Sequence, residues 1–189
     1  MHYTTRLRIK QILYFFTFPL CFFLFYFSNV KNILVDDLKR YKSDLILNKG
    51  IVFSLWENLL MNKCFRNVFY LRVGIFKYFL CWILKPIHNI ELCNNIGGGF
   101  LLLHGFNVVI NPRVKIGKNC TILHNVTIGD VKGGVPLIGD NVSIGTGAVI
   151  IGNIHIGNNV KIGAGAIVVD NVPDGVTIVG PKAKVIMQN

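Results

Sequence analysis

Over most of its C-terminal half the chain places one aliphatic side chain every six residues: Ile110, Ile116, Ile122 and Ile128, then Ile138, Ile144, Ile150, Ile156, Ile162 and Val168. A helix repeats each 3.6 residues and a strand each two, so neither explains this spacing. A short strand followed by a tight corner, repeated, does. Four places after nearly every aliphatic comes a small or branched residue: Val114, Cys120, Val126, Val142, Ala148, Ile154, Val160, Ala166 and Val172. Three units make one triangular coil. The aliphatic residue points into the prism, the small residue fills the adjoining corner, and Gly or Asn supplies corner dihedrals that other residues resist. Parallel backbone hydrogen bonds stack the coils about 4.8 Å apart. Each coil folds poorly alone and is stabilised by its neighbours.

The register breaks once, between Ile128 and Ile138, where four residues are inserted; Asp130 to Pro136 is the visible part. A loop extruded from a regular prism is a natural place for function. Before the repeats, residues 31 to about 88 read as helical, with Leu34, Leu38, Tyr41 and Leu45 at three- and four-residue spacing and a second apolar and basic stretch from Phe65 to Val73. Gly50 and Gly74 punctuate this region and Pro86 ends it. Arg66, Arg72 and Lys77 read either as a solvated helix face or as contacts to lipid or a partner subunit.

The formal net charge of +11 raises nucleic acid as a partner. Residues 1–89 hold 13 Lys/Arg against 4 Asp/Glu, and the remainder 7 against 5, so the excess belongs to the N-terminal half. That half also contains an uncharged run from Gln11 to Val30, rich in Phe, preceded by Arg6, Arg8 and Lys10. The run reaches the roughly 20 residues that cross a bilayer as a helix, and Pro19 near its centre would kink it or turn it back. No small-x-small cleavage site follows before Lys31. A membrane surface is therefore a better partner than nucleic acid. Cys21, Cys64, Cys81, Cys93 and Cys120 show no Cys-x-x-Cys spacing and read as reduced residues, with no disulfide framework or zinc site. The expected organisation is a membrane-associating segment over 1–30, a helical region over 31–88 and a β-helix over 89–189.

Three segments make the chain resemble the hexapeptide-repeat acyltransferases, in the serine-acetyltransferase-like branch that includes polysaccharide O-acetyltransferases. They are Gly98-Gly-Phe-Leu-Leu-Leu-His104-Gly-Phe-Asn-Val-Val-Ile-Asn-Pro112, then Val126-Thr-Ile-Gly129 with Lys132-Gly-Gly-Val-Pro136, and Val179-Gly-Pro-Lys-Ala-Lys-Val185. The resemblance implies a mainly β fold, a left-handed parallel β-helix, assembled as a homotrimer with acetyl-CoA in a groove between subunits. The coenzyme would touch the chain near Gly129, Gly145, Thr146, Gly163 and Ala164, with Lys182 and Lys184 near its phosphates. His104 would take the proton from the acceptor hydroxyl as it attacks the thioester, which suits an imidazole of near-neutral pKa. An upstream carboxylate orients that ring in the family, and Glu91 is the carboxylate available. His124, one coil of eighteen plus two further residues away, would stack beside His104.

Family members that acetylate serine carry Asp before the catalytic His and Arg-His before the loop proline. Leu103, Gly134 and Val135 occupy those places here. Burying a zwitterion without charged partners costs several kcal/mol, so a sugar hydroxyl of a surface polysaccharide or its precursor is the expected acceptor, at the cytoplasmic face of the membrane. The alternatives are serine O-acetyltransferase and a non-catalytic scaffold in glycan assembly. A zinc β-helix hydratase is disfavoured, because His104, His124 and His155 lack a close histidine pair.

Overall fold

The computed structural model describes residues 30–41, 50–74 and 89–181, together with Pro19 and Tyr78. Two compact units are present: residues 1–88 with Gly97–Leu102, and Asn89–Ile96 with Leu103–Asn189.

In the first unit, α1 (Lys31–Tyr41), α2 (Ile51–Met61) and α3 (Lys63–Arg72) share a core of Leu34, Leu38, Leu55, Trp56, Leu59, Phe65 and Phe69. Gly50, at φ 80°, leads into α2, and Gly74, at φ 57°, lies just past α3. Asn62 starts α3 by accepting the Phe65 N–H on its side chain at 3.1 Å. Arg66 and Arg72 of α3 depart from the solvated or lipid-facing readings. Arg66 is buried and donates to the Leu59 and Leu60 carbonyls at 2.9 and 3.0 Å, which satisfies the end of α2. Arg72 is paired with buried Asp37. Lys77, Pro86 and Leu45 fall outside the described residues, as do Cys21, Cys81 and, Pro19 apart, the apolar run before Val30. Among the described residues no helix is long and apolar enough to cross a membrane. Cys64, Cys93 and Cys120 are not joined in disulfides among the described residues, and the Cys120 thiol donates to the Gly139 carbonyl at 3.2 Å.

The second unit is a left-handed parallel β-helix of short strands on three faces. The first face stacks Ile90–Glu91, Val108–Ile110, Thr127–Gly129, Val149–Ile151 and Ile167–Val168. On the second lie Asn95–Ile96, Lys115–Ile116, Leu137–Ile138 and His155–Ile156, and on the third Thr121–Ile122, Ser143–Ile144, Lys161–Ile162 and Thr177–Ile178. All ten periodic aliphatics are buried, and so are the nine small or branched residues that follow them. Ile110, Ile128, Ile150 and Val168 form one continuous inward column by strand register.

The corners explain the polar half of the repeat. Asn119, Asn141 and Asn159 all take φ 57° at the corner between the second and third faces. Asn141 donates its N–H to the Lys118 carbonyl and Asn159 to that of Asp140, both at 2.8 Å. Asparagine tolerates this left-handed geometry better than residues with larger or branched side chains.

Candidate active site

His104 lies at the corner between the third and first faces, where the first coil differs from those above it. Leu103 N–H donates to the Ile122 carbonyl, nineteen residues on, whereas Val109 N–H donates to Val126, seventeen on. Two extra residues therefore lie between Leu103 and Val109. They swell the corner to Leu103–Asn107, with two left-handed residues, His104 at φ 48° and Asn107 at φ 51°. The corners above have one each, at Asn125, Gly147 and Gly165. His104 is exposed on this bulge.

The bulge also changes which side chains stack. Asn125 donates its N–H to Phe106 at 3.0 Å, and Asn107 Nδ2 reaches Asn125 Oδ1 at 3.2 Å. Phe106, eighteen residues before His124, therefore takes the place expected for His104. The Phe106 and His124 rings are stacked, with centroids 4.8 Å apart and planes 13° from parallel. The two extra residues lie in the corner before Phe106, so Phe106 rather than His104 stands one coil below His124. His124 Nδ1 is buried without a hydrogen-bond partner.

The strand leading into His104 is held by the helical unit, to which it belongs. Asp37 Oδ1 accepts the Phe100 N–H at 2.8 Å, and Tyr41, one turn along α1, accepts the Leu102 N–H on its hydroxyl at 2.8 Å. Arg72 donates to Asp37 Oδ2 at 2.9 Å and to the Gly97 carbonyl at 2.7 Å. The Arg72 and Asp37 side chains are 6% and 0% exposed. Burial pushes the Asp37 carboxyl above its ordinary range, against the opposing pull of Arg72 and the Phe100 N–H. Sequence alone did not single out Asp37, because nothing in its spacing separates it from solvated Asp36.

The inserted loop forms a two-residue hairpin. Val131 and Gly134 exchange backbone hydrogen bonds of 3.0 and 3.1 Å, while Lys132 at φ 51° and Gly133 at φ 86° make the turn. Arg113 braces it, bonding the Asp130 carboxylate and donating to the Gly133 carbonyl at 3.0 Å. Between hairpin and second face runs an open groove of about 640 Å³, lined among others by Arg113, Lys115, Lys132, Leu137 and Asn153. A Cβ on Gly134 would overlap that of Asn153, so the loop in this conformation has no room there for a side chain.

With this geometry established, comparison with known proteins is decisive. The family described as bacterial transferase hexapeptide (six repeats) matches residues 136–170. The chain is 32% identical to a serine acetyltransferase of Bacillus subtilis (strain 168) over 160 residues, covering 82% of this chain and 72% of that one. It belongs to the serine acetyltransferase family of hexapeptide-repeat transferases. A protein of Escherichia coli (strain K12) assigned to colanic acid biosynthesis as the acetyltransferase WcaB is 44% identical over 102 residues, covering 52% of this chain and 62% of that one. The serine acetyltransferase of Brucella abortus strain S19, solved in complex with coenzyme A, superposes with a TM-score of 0.64 at 27% identity, covering 86% of this chain and 70% of that one.

Within this acyltransferase four of the residues singled out for the coenzyme, Gly145, Thr146, Gly163 and Ala164, occupy the corners above His124. A Cβ on Gly145 would come within 2.6 Å of the Ala164 nitrogen, and one on Gly163 within 3.0 Å of the Ile178 carbonyl oxygen. Coil stacking thus already requires glycine at both. Thr146 is half-buried and Ala164 exposed on the same edge, one coil apart. Gly129 closes the first-face strand before the loop, and Lys182 and Lys184 lie outside the described residues. Glu91 is exposed on the first face, in register with Val109. Among the described residues no three His, Cys, Asp or Glu side chains come together as a metal site. Arg113 and Phe106 carry much of the local geometry and escaped the sequence reading; neither occupies a core position of the repeat.

Proposed function

We propose that this acetyltransferase moves the acetyl group of acetyl-CoA onto a sugar hydroxyl of a surface polysaccharide or its precursor, with His104 as general base. The imidazole takes the hydroxyl proton while the oxygen attacks the thioester carbonyl. Backbone N–H groups stabilise the tetrahedral oxyanion, and the proton passes to the departing thiolate. Glu91 is the candidate to orient the ring, with His124 beside the site. The observation that carries the acceptor is the lack of space at Gly134, where a side chain would collide with Asn153; with Leu103 and Val135 it puts no acid or base at the three positions where the resemblance places Asp, Arg and His in serine-specific relatives. The colanic acid relative points the same way. The apolar, basic N-terminal segment supports membrane association at the cytoplasmic face, and the resemblance supports a homotrimer.

Serine is the second reading. The Bacillus subtilis relative, matched over 82% of this chain, carries that name, and the comparisons taken together favour serine over a glycan. Release of coenzyme A with millimolar serine, set against release with sugar acceptors, decides between them. Robust turnover on serine overturns the sugar assignment. On the true acceptor, His104→Ala should lower kcat by about 10²–10⁴-fold, and full activity in that variant overturns the mechanism.

A further inference from the structure

Charge in residues 89–181 balances: Arg113, Lys115, Lys118, Lys132 and Lys161 stand against Glu91, Asp130, Asp140, Asp170 and Asp174. Its distribution does not. Three of those five cations, Arg113, Lys115 and Lys132, line one groove beside the inserted hairpin. Of the acids, Asp130 alone is bonded to one of the three. Asp140 and Asp174 accept the Lys118 and Asn158 backbone N–H groups at another corner. Glu91 is on the first face, and Asp170 follows the first-face strand Ile167–Val168.

Arg113 is already committed, since its guanidinium ties the Asp130 carboxylate to the Gly133 carbonyl. Its effect is to fix the hairpin that carries Lys132. Lys115, on the outward row of the second face beside Leu137, supplies the opposite wall. Among the described residues neither Lys115 nor Lys132 has a carboxylate partner. Two ammonium groups on fixed backbone, an amide at Asn153 and a volume near 640 Å³ suit a compact dianion with an attached ring.

We propose that this groove holds the phosphate of a glycosyl diphosphate, so that the acceptor is a sugar still attached to its diphosphate carrier. This deepens the sugar O-acetylation reading and rests on it. It names the carrier chemistry, a phosphate ester shared by nucleotide-linked and lipid-linked sugars, and it places acetylation before the sugar leaves that carrier.

The test uses the full-length protein and calorimetry. Inorganic pyrophosphate should bind the wild type saturably, and a Lys115→Gln/Lys132→Gln variant at least ten-fold more weakly, with coenzyme A binding unchanged. Competition of uridine diphosphate against pyrophosphate indicates a nucleotide carrier; competition of geranyl diphosphate indicates a lipid one. Absence of pyrophosphate binding to the wild type overturns the proposal. So does a parallel loss of coenzyme A binding in the variant, which would assign the groove to the donor. Because these readouts need no turnover, they fail independently of the acceptor assay with serine and sugars. Unchanged thermal unfolding of the variant establishes that it folds.

Discussion

Outside glycine, left-handed backbone in the described residues falls on five asparagines and on two other residues, His104 and Lys132. The asparagines are the residues a corner prefers; the other two hold this geometry at a cost of about 1 kcal/mol each. They are also the candidate base and the cation at the hairpin tip, which is where strain kept for function is expected. Replacing His104 by Asn should therefore leave stability unchanged or raise it by up to about 1 kcal/mol while abolishing acetyl transfer. Urea unfolding alongside the transfer assay checks both, and a loss of stability beyond 1 kcal/mol would contradict the strain. Glycine positions divide by the same geometry. Gly145→Ala should destabilise by about 1–3 kcal/mol through collision with the coil above, measurable as a lowered unfolding midpoint. Legibility follows this division: Gly and Asn mark corners in any such sequence, but the conformation of His104 depends on two extra residues whose place only the backbone hydrogen bonds reveal.

At the scale of elements, the segment before His104 is a strand whose N–H groups are met by helix side chains. Asp37 and Tyr41 lie one turn apart on α1 and take alternate N–H groups of Gly97–Leu102, and Arg72 of α3 closes the arrangement on Gly97. Removing the carboxylate with Asp37→Ala should cost about 3–5 kcal/mol, because the Arg72 guanidinium then stays buried without it. The pH dependence has a definite sign. Burial raises the folded carboxyl above 3.8, so between that value and the raised one the folded state binds more protons than the unfolded. The Asp37 contribution is fully present below the unfolded pKa and is lost as pH rises through the folded one. Wild-type stability relative to Asp37→Asn should therefore fall with increasing pH across that window and then level off, as measured by denaturant titrations at successive pH values; a rise would mean that Arg72 outweighs burial. The helices themselves were readable from Leu34, Leu38 and Tyr41. The ion pair was not, because hydrophobic spacing finds buried faces through apolar residues and is blind to a carboxylate placed among them.

For the β-helix as a whole, the six-residue period specified the fold from Ile110 onward, since one inward column per face leaves little choice of register. The coil containing His104 escaped the same reading. Ile90, Ile96 and Leu102 keep the spacing of six, and the two-residue bulge then shifts Ile110 out of phase, so the irregularity that presents the candidate base also hides the repeat that carries it. A stack of coils is nearly one-dimensional, each stabilised by the next, and its response to damage should depend on position. Ile150 is fully buried between Ile128 and Val168, whereas Ile178 is half-buried in the last strand described. Ile150→Ala should then cost about 2–5 kcal/mol and Ile178→Ala less than about 1 kcal/mol. The second change should also act locally. In native-state hydrogen exchange it should speed the amides of Gly163 and Lys161, which bond directly to the Ile178 and Val176 carbonyls, and leave Val109 and Asn111, several coils away, unaffected. Uniform acceleration in both regions would show that the coils open as one cooperative block rather than fraying from the end.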